Sequence, residues 1–255
     1  MKGRLAKVAV LTVALAALGG ATASGGGACI GPLCVTATVD MQPRELPAKA
    51  NAPIVLSSVT QVRTKDGSTP PTLAAIDFLI DKHGAVNSKA FPTCPAAKLE
   101  GATPSQARKR CAASLVGKGT AKALVTMPGR EPFQISSPVS LFNAAPSGGK
   151  PTLLAHAYET VPSPQALLVP IVIERVNKGR YGFHVKVEMP EVAGGFGAPT
   201  LAEASIGAVR KRKGKKIGFL TAHCAGGRLQ VEGTLTFTNG DRFPTTLTSP
   251  CHTPR

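Results

Sequence analysis

The sequence predicts a mainly β protein, an antiparallel β-sandwich or jelly-roll-like fold with a barrel as the alternative. Three observations predict it. Apolar and polar residues alternate with period two through much of the chain. Abundant glycine (27) and proline (22) separate the alternating runs. Helix signals are confined to one short stretch near residues 103–111.

The clearest strand lies near the C-terminus. Leu229, Val231, Gly233, Leu235 and Phe237 share one face, and Gln230, Glu232, Thr234 and Thr236 take the other. Asn239-Gly240 then supplies a two-residue hairpin turn, and Phe243, Thr245 and Leu247 continue as the return strand. Tyr181, Phe183, Val185, Val187 and Met189 alternate with outward His184, Lys186 and Glu188. Leu167 to Ile173 reads as a central strand in which Pro170 must sit at a bulge or an edge. Further strands are expected over 35–41, 53–63, 73–80, 119–127, 133–142, 152–159, 201–209 and 216–223. The one helix starts at Thr103 as N-cap, with Pro104 at N1 and Gln106 completing a capping box, and runs to about Cys111.

The N-terminus carries a secretory signal pattern over residues 1–23. Lys2, Arg4 and Lys7 form a positive region, and Val8 to Leu18 is an apolar run of 11 residues, too short to span a bilayer. Gly19-Gly20 and Ala21-Thr22-Ala23 then give a small-x-small cleavage pattern before Ser24. A secreted or cell-envelope location follows as the expectation. Residues 24–33 read as a flexible glycine-rich leader, and 34–253 as a single β-rich domain.

Six cysteines follow the leader: Cys29, Cys34, Cys94, Cys111, Cys224 and Cys251. In an exported chain an even number implies disulfides, and the sequence admits fifteen connectivities. Locality favours Cys29–Cys34, Cys94–Cys111 and Cys224–Cys251. No two cysteines form a C-x-x-C pair, so neither zinc nor another metal is expected.

No catalytic signature stands out, and no cofactor is expected. Leu220-Thr221-Ala222-His223-Cys224 and Ser147-Gly148-Gly149 echo fragments of chymotrypsin-like proteases. The chain order is reversed, however, and the Gly-Asp before the serine is replaced by Ala145-Pro146. His83, His156, His184 and His252 show no ligand spacing. P-loop, dinucleotide and G-x-S-x-G patterns are absent from the sequence.

The densest charge feature is Arg210-Lys211-Arg212-Lys213-Gly214-Lys215-Lys216, read as a hairpin tip between two strands. With a net charge of +16, these six cations are the candidate anion-binding residues. The competing reading is a solvated tip that protects a sheet edge. No aromatic residue is interleaved with the run, so no specific nucleic-acid partner is expected.

Several spaced features resemble an uncharacterised family of secreted actinobacterial proteins. They are Pro71-Thr72-Leu73 with Ile76 and Phe78, Phe91-Pro92-Thr93-Cys94 with Cys111, Val116-Gly117-Lys118-Gly119, Leu141-Phe142-Asn143, Phe219 to Cys224, and Cys251. The resemblance covers about residues 50–253. It implies an exported β-protein with two cysteine pairs and brings no catalytic residue with it. The expectation is therefore a non-enzymatic extracellular or envelope protein that binds an apolar or anionic partner, such as an envelope polymer or lipid surface. The alternative is a secreted hydrolase with a dispersed active site.

Overall fold

The computed structural model describes residues 24–254. The stretch 1–23, read from the sequence as a secretory signal, lies outside the described residues. The strands are β1 (Ser24–Ile30), β2 (Leu33–Gln42), β3 (Ala52–Thr64), β4 (Leu73–Asp81), β5 (Gly84–Val86), β6 (Leu115–Val125), β7 (Phe133–Ser147) and β8 (Lys150–Glu159). They continue as β9 (Gln165–Lys178), β10 (Tyr181–Glu188), β11 (Gly197–Ile206), β12 (Val209–Arg212), β13 (Lys215–Gly218), β14 (Leu220–Ala222), β15 (Arg228–Phe237) and β16 (Arg242–Pro250). One α-helix, α1 (Pro104–Arg110), interrupts them.

The mainly β expectation holds, and its arrangement is a barrel rather than two stacked sheets. A single antiparallel sheet runs in the order β1-β2-β3-β11-β6-β7-β8-β9-β10-β4-β15-β16 and is nearly closed on itself. Strand alternation alone cannot separate these solutions, because both bury one face of every strand. Hairpins link β6 through β10 as a meander, while β4 and β11 enter between distant strands.

Both ends of the barrel are furnished with apolar side chains. At one end, here the plug end, β5 and β14 close the barrel, while the segment around α1 packs on the outer face of β7 and β8. There β14 pairs with the start of β3 and with β5, and Phe219 is fully buried edge-on to Phe91. At the far end Phe237 and Phe243 meet edge-on and pack with Leu33, Val62 and Leu73.

Proline placement follows from the ladders. Pro170 lies in β9 opposite Leu154 of β8, but the β9–β10 ladder has already ended at Val172–Lys186, so its missing N–H leaves no broken pair there. Pro199 stands at the irregularity in the β11–β6 register.

Three disulfides join Cys29–Cys34, Cys94–Cys111 and Cys224–Cys251, the local pairing that spacing favours. The second ties α1 back to its loop, where the expected capping box forms between Thr103 and Gln106. The third closes the open end of the β15–β16 hairpin.

Two expectations are corrected. The stretch read as a flexible leader is a strand: β1 pairs with β2 from Ser24–Val39 to Ile30–Leu33. Glycine-rich sequence gives no side-chain alternation to read, so its pairing is legible only in three dimensions. The runs 201–209 and 216–223 also break, at Gly207 and Phe219. A Cβ at Gly207 would lie 2.6 Å from the Ile54 backbone, and its φ is +157°.

A candidate apolar ligand site inside the barrel

Twelve strands enclose more width than the strands' own side chains fill. About eight strands suffice for a side-chain-packed interior, and larger barrels hold ligands or channels. Here the plug and the far-end phenylalanines fill the ends, and a cavity of about 320 Å³ remains between them.

Its wall is built from the inward positions of the alternating strands. Ala37 and Val39 come from β2, Phe78 and Ile80 from β4, Ile171 and Ile173 from β9, Val185 and Val187 from β10, and Val231 and Leu235 from β15. Val86, Leu220 and Ala222 form its floor at the plug end. Small inward residues leave the space open. Gly117 and Gly119 of β6 face Ile206 and Ala204 of β11, and Gly233 of β15 faces Phe78. The outward positions are polar, among them Asp40, Arg63, Lys118, Lys122, Lys186, Glu188 and Glu232. This polarity is the inverse of membrane-spanning barrels, which are apolar outside and polar within.

A few polar groups punctuate the wall. Ser58, Thr60 and Thr245 line it, and their hydroxyls make no hydrogen bond among the described residues. Near the floor sits Asp81, 2% exposed. Its Oδ1 accepts from the His83 backbone N–H at 3.0 Å and from His83 Nδ1 at 2.7 Å. Its Oδ2 accepts from Arg180 Nε at 2.9 Å and from the Gln230 N–H at 3.2 Å. A buried carboxylate so engaged is a structural tie between β4, the β9–β10 turn and β15. Beside it Gln230 donates to the Tyr181 hydroxyl at 2.7 Å, and burial, then Glu232, pushes the Tyr181 phenol above its ordinary range.

The protease-like fragments do not assemble. His223 Nδ1 contacts Asn51 Oδ1 at 2.7 Å, and its ring meets His83 edge-on at 5.0 Å. Ser147 belongs to the β7–β8 hairpin, where its backbone N–H donates to Thr152 Oγ1. The pairing of His83 with His223 was not legible in the sequence, where 140 residues separate them. Among the described residues no group of three or more His, Cys, Asp or Glu side chains is placed to hold a metal ion. A second, polar depression lies beside the Cys224–Cys251 bridge, lined by Lys49, His223 and His252.

The basic run forms the β12–β13 hairpin, with Lys213 and Gly214 in its turn at positive φ. It does not act as six equivalent cations. Arg210 donates to the Ala113 carbonyl and lies over the Phe91 ring at 5.2 Å, anchoring the hairpin to the segment after α1. Lys211, Arg212, Lys213, Lys215 and Lys216 are exposed and take part in no ion pair among the described residues.

Sequence reasoning missed the cavity. Its signal was the small residues Gly117 and Gly119 of β6 and Ala204 of β11, which read as ordinary strand until those strands are known to be neighbours. No protein-family model, no curated protein and no solved structure matches the chain.

Proposed function

We propose that this is a secreted or envelope-associated, non-enzymatic binding protein that holds the hydrocarbon part of a ligand inside its barrel. The observation that carries this reading is the cavity of about 320 Å³ with an almost wholly aliphatic and aromatic wall. Protein interiors are close-packed, and volume unfilled by protein atoms costs about 24 cal/mol per Å³, on the order of 8 kcal/mol for a cavity of this size. That is comparable with the net stability of a domain. A ligand occupying the space restores the contacts, and the size falls in the range of small-molecule sites.

Export is supported by the leader pattern, the three disulfides and the resemblance to secreted actinobacterial proteins. The five exposed cations of the β12–β13 hairpin supply a surface for an anionic envelope polymer or lipid headgroups, with Arg210 as its anchor.

Titration with cis-parinaric acid tests the reading. The wild-type protein is expected to bind it stoichiometrically with enhanced fluorescence. Ala204→Phe, which places a ring in the cavity from β11, is expected to abolish binding while preserving the β-sheet circular dichroism. Absence of binding by the wild-type protein, or unchanged binding by Ala204→Phe, overturns the proposal.

A further inference from the structure

Around the barrel, every junction but one is a backbone ladder. The sheet order ends on β1 and β16, and among the described residues no ladder joins β16 to either β1 or β2. Among the described residues β1 pairs with β2 from Leu33 to Val39, and Asp40 to Gln42 of β2 lie beyond that ladder. In the far-end half of the seam β1 wedges between β2 and β16, and a Cβ at Gly26 would lie 2.9 Å from Thr245 Oγ1. In the plug-end half β2 meets β16 directly. There the Met41 N–H donates to Ser249 Oγ at 3.1 Å, while Ala37 and Val39 pack on Leu247. Those contacts ascend together along both strands, so β2 and β16 run parallel, the one such neighbouring pair among the barrel's long strands. Beyond the strands, Leu46 and His252 exchange backbone hydrogen bonds with their neighbours across a short parallel bridge that pins the plug end.

We infer that this seam is the portal through which the hydrocarbon chain of an amphiphile passes sideways into the cavity. The inference rests on the cavity being a ligand site. Short of the bridge at His252, parting the β1–β2 strip from β16 breaks the Met41–Ser249 hydrogen bond and apolar packing, whereas parting any other long-strand junction breaks a ladder. The same seam residues, Ala37, Val39 and Met41 on one side and Thr245, Leu247 and Ser249 on the other, line the cavity, so a parted seam leads directly into it. The two barrel ends offer no comparable path. The plug end is floored by β14 and held by Cys224–Cys251, and the far end is filled by Phe237 and Phe243. Lateral access suits a chain whose polar head stays outside, where Thr36, Asp40 and Arg44 face solvent or its edge.

A covalent lock tests the portal. Gly26→Cys with Thr245→Cys places two Cβ atoms within disulfide reach across the seam. The oxidised double variant, with its new bridge confirmed by peptide mapping, is expected to exchange cis-parinaric acid roughly tenfold more slowly than wild type or either single variant. Ser249→Ala, which removes the hydrogen bond to Met41, is expected to speed both uptake and release of the probe. If the lock does not form, the Ser249→Ala rate decides. Exchange unaffected by either change overturns the portal and leaves the cavity reading standing. A wild-type protein that takes up no probe overturns the cavity reading itself.

Discussion

His156 donates from Nε2 to the Ala102 carbonyl at 2.9 Å, joining the outer face of β8 to the loop that precedes α1. A carbonyl only accepts, so the proton sits on Nε2. The other ring nitrogen, Nδ1, is buried with no partner among the described residues. The ring is fully buried beside the outer cluster of Leu99, Ala102, Phe142 and Leu154. Burial, as the largest cause, pushes the His156 pKa below its ordinary value, and Arg108 adds to the shift.

This relationship predicts acid sensitivity. Above pH about 6.5 the histidine is neutral in both the folded and unfolded chains and contributes no pH dependence. As the pH falls below that value the unfolded chain takes up a proton that the folded chain resists, so stability declines until the folded pKa is passed. The slope from this one group is at most about 1.4 kcal/mol per pH unit. Urea unfolding of wild type and His156→Leu across pH 7.5 to 5 checks it: the variant loses this component of the slope, and parallel curves sink the assignment.

Asp81 makes a second prediction. Its carboxylate receives donors from His83, Arg180 and the Gln230 backbone. Asp81→Asn removes the charge and one set of acceptor positions, and is expected to cost about 3 kcal/mol, the lower end for a broken buried pair because Arg180 is a third exposed. Arg180→Lys, which keeps the charge but not the Nε geometry, is expected to cost less. Chemical denaturation with both variants reads the difference. An Asp81→Asn protein as stable as wild type contradicts the structural role.

Gly119 makes a third. A Cβ there would stand 1.9 Å from the Glu203 carbonyl oxygen and 3.1 Å from the Ala204 Cα, both backbone atoms of the neighbouring β11. Neither can yield without parting β6 from β11. Gly119→Ala is therefore expected to cost about 3 kcal/mol or more, the upper range for overpacking. Gly226→Ala, in a loop with nothing within 4 Å of the added methyl, is expected to be near neutral. Thermal melts of the two variants against wild type give the comparison.

The sequence by itself determined which residues face inward on most strands, the capped helix at Thr103 and the class of fold, while it favoured the local cysteine pairs without deciding them. Each of these is a short-range matter. Alternation assigns Val185 and Val231 to an apolar face without reference to any partner strand, and Thr103 finds Gln106 within one turn. The tertiary structure alone decided that those faces enclose space. Ala204 becomes a cavity wall only because β11 inserts between β3 and β6, and Gly119 is required only because Glu203 is its neighbour. The seam, the Asp81 tie and the burial of His156 likewise join residues from 54 to 208 positions apart. Such pairings are fixed by strand order and barrel closure, which period-two alternation leaves undetermined because every strand carries the same signal.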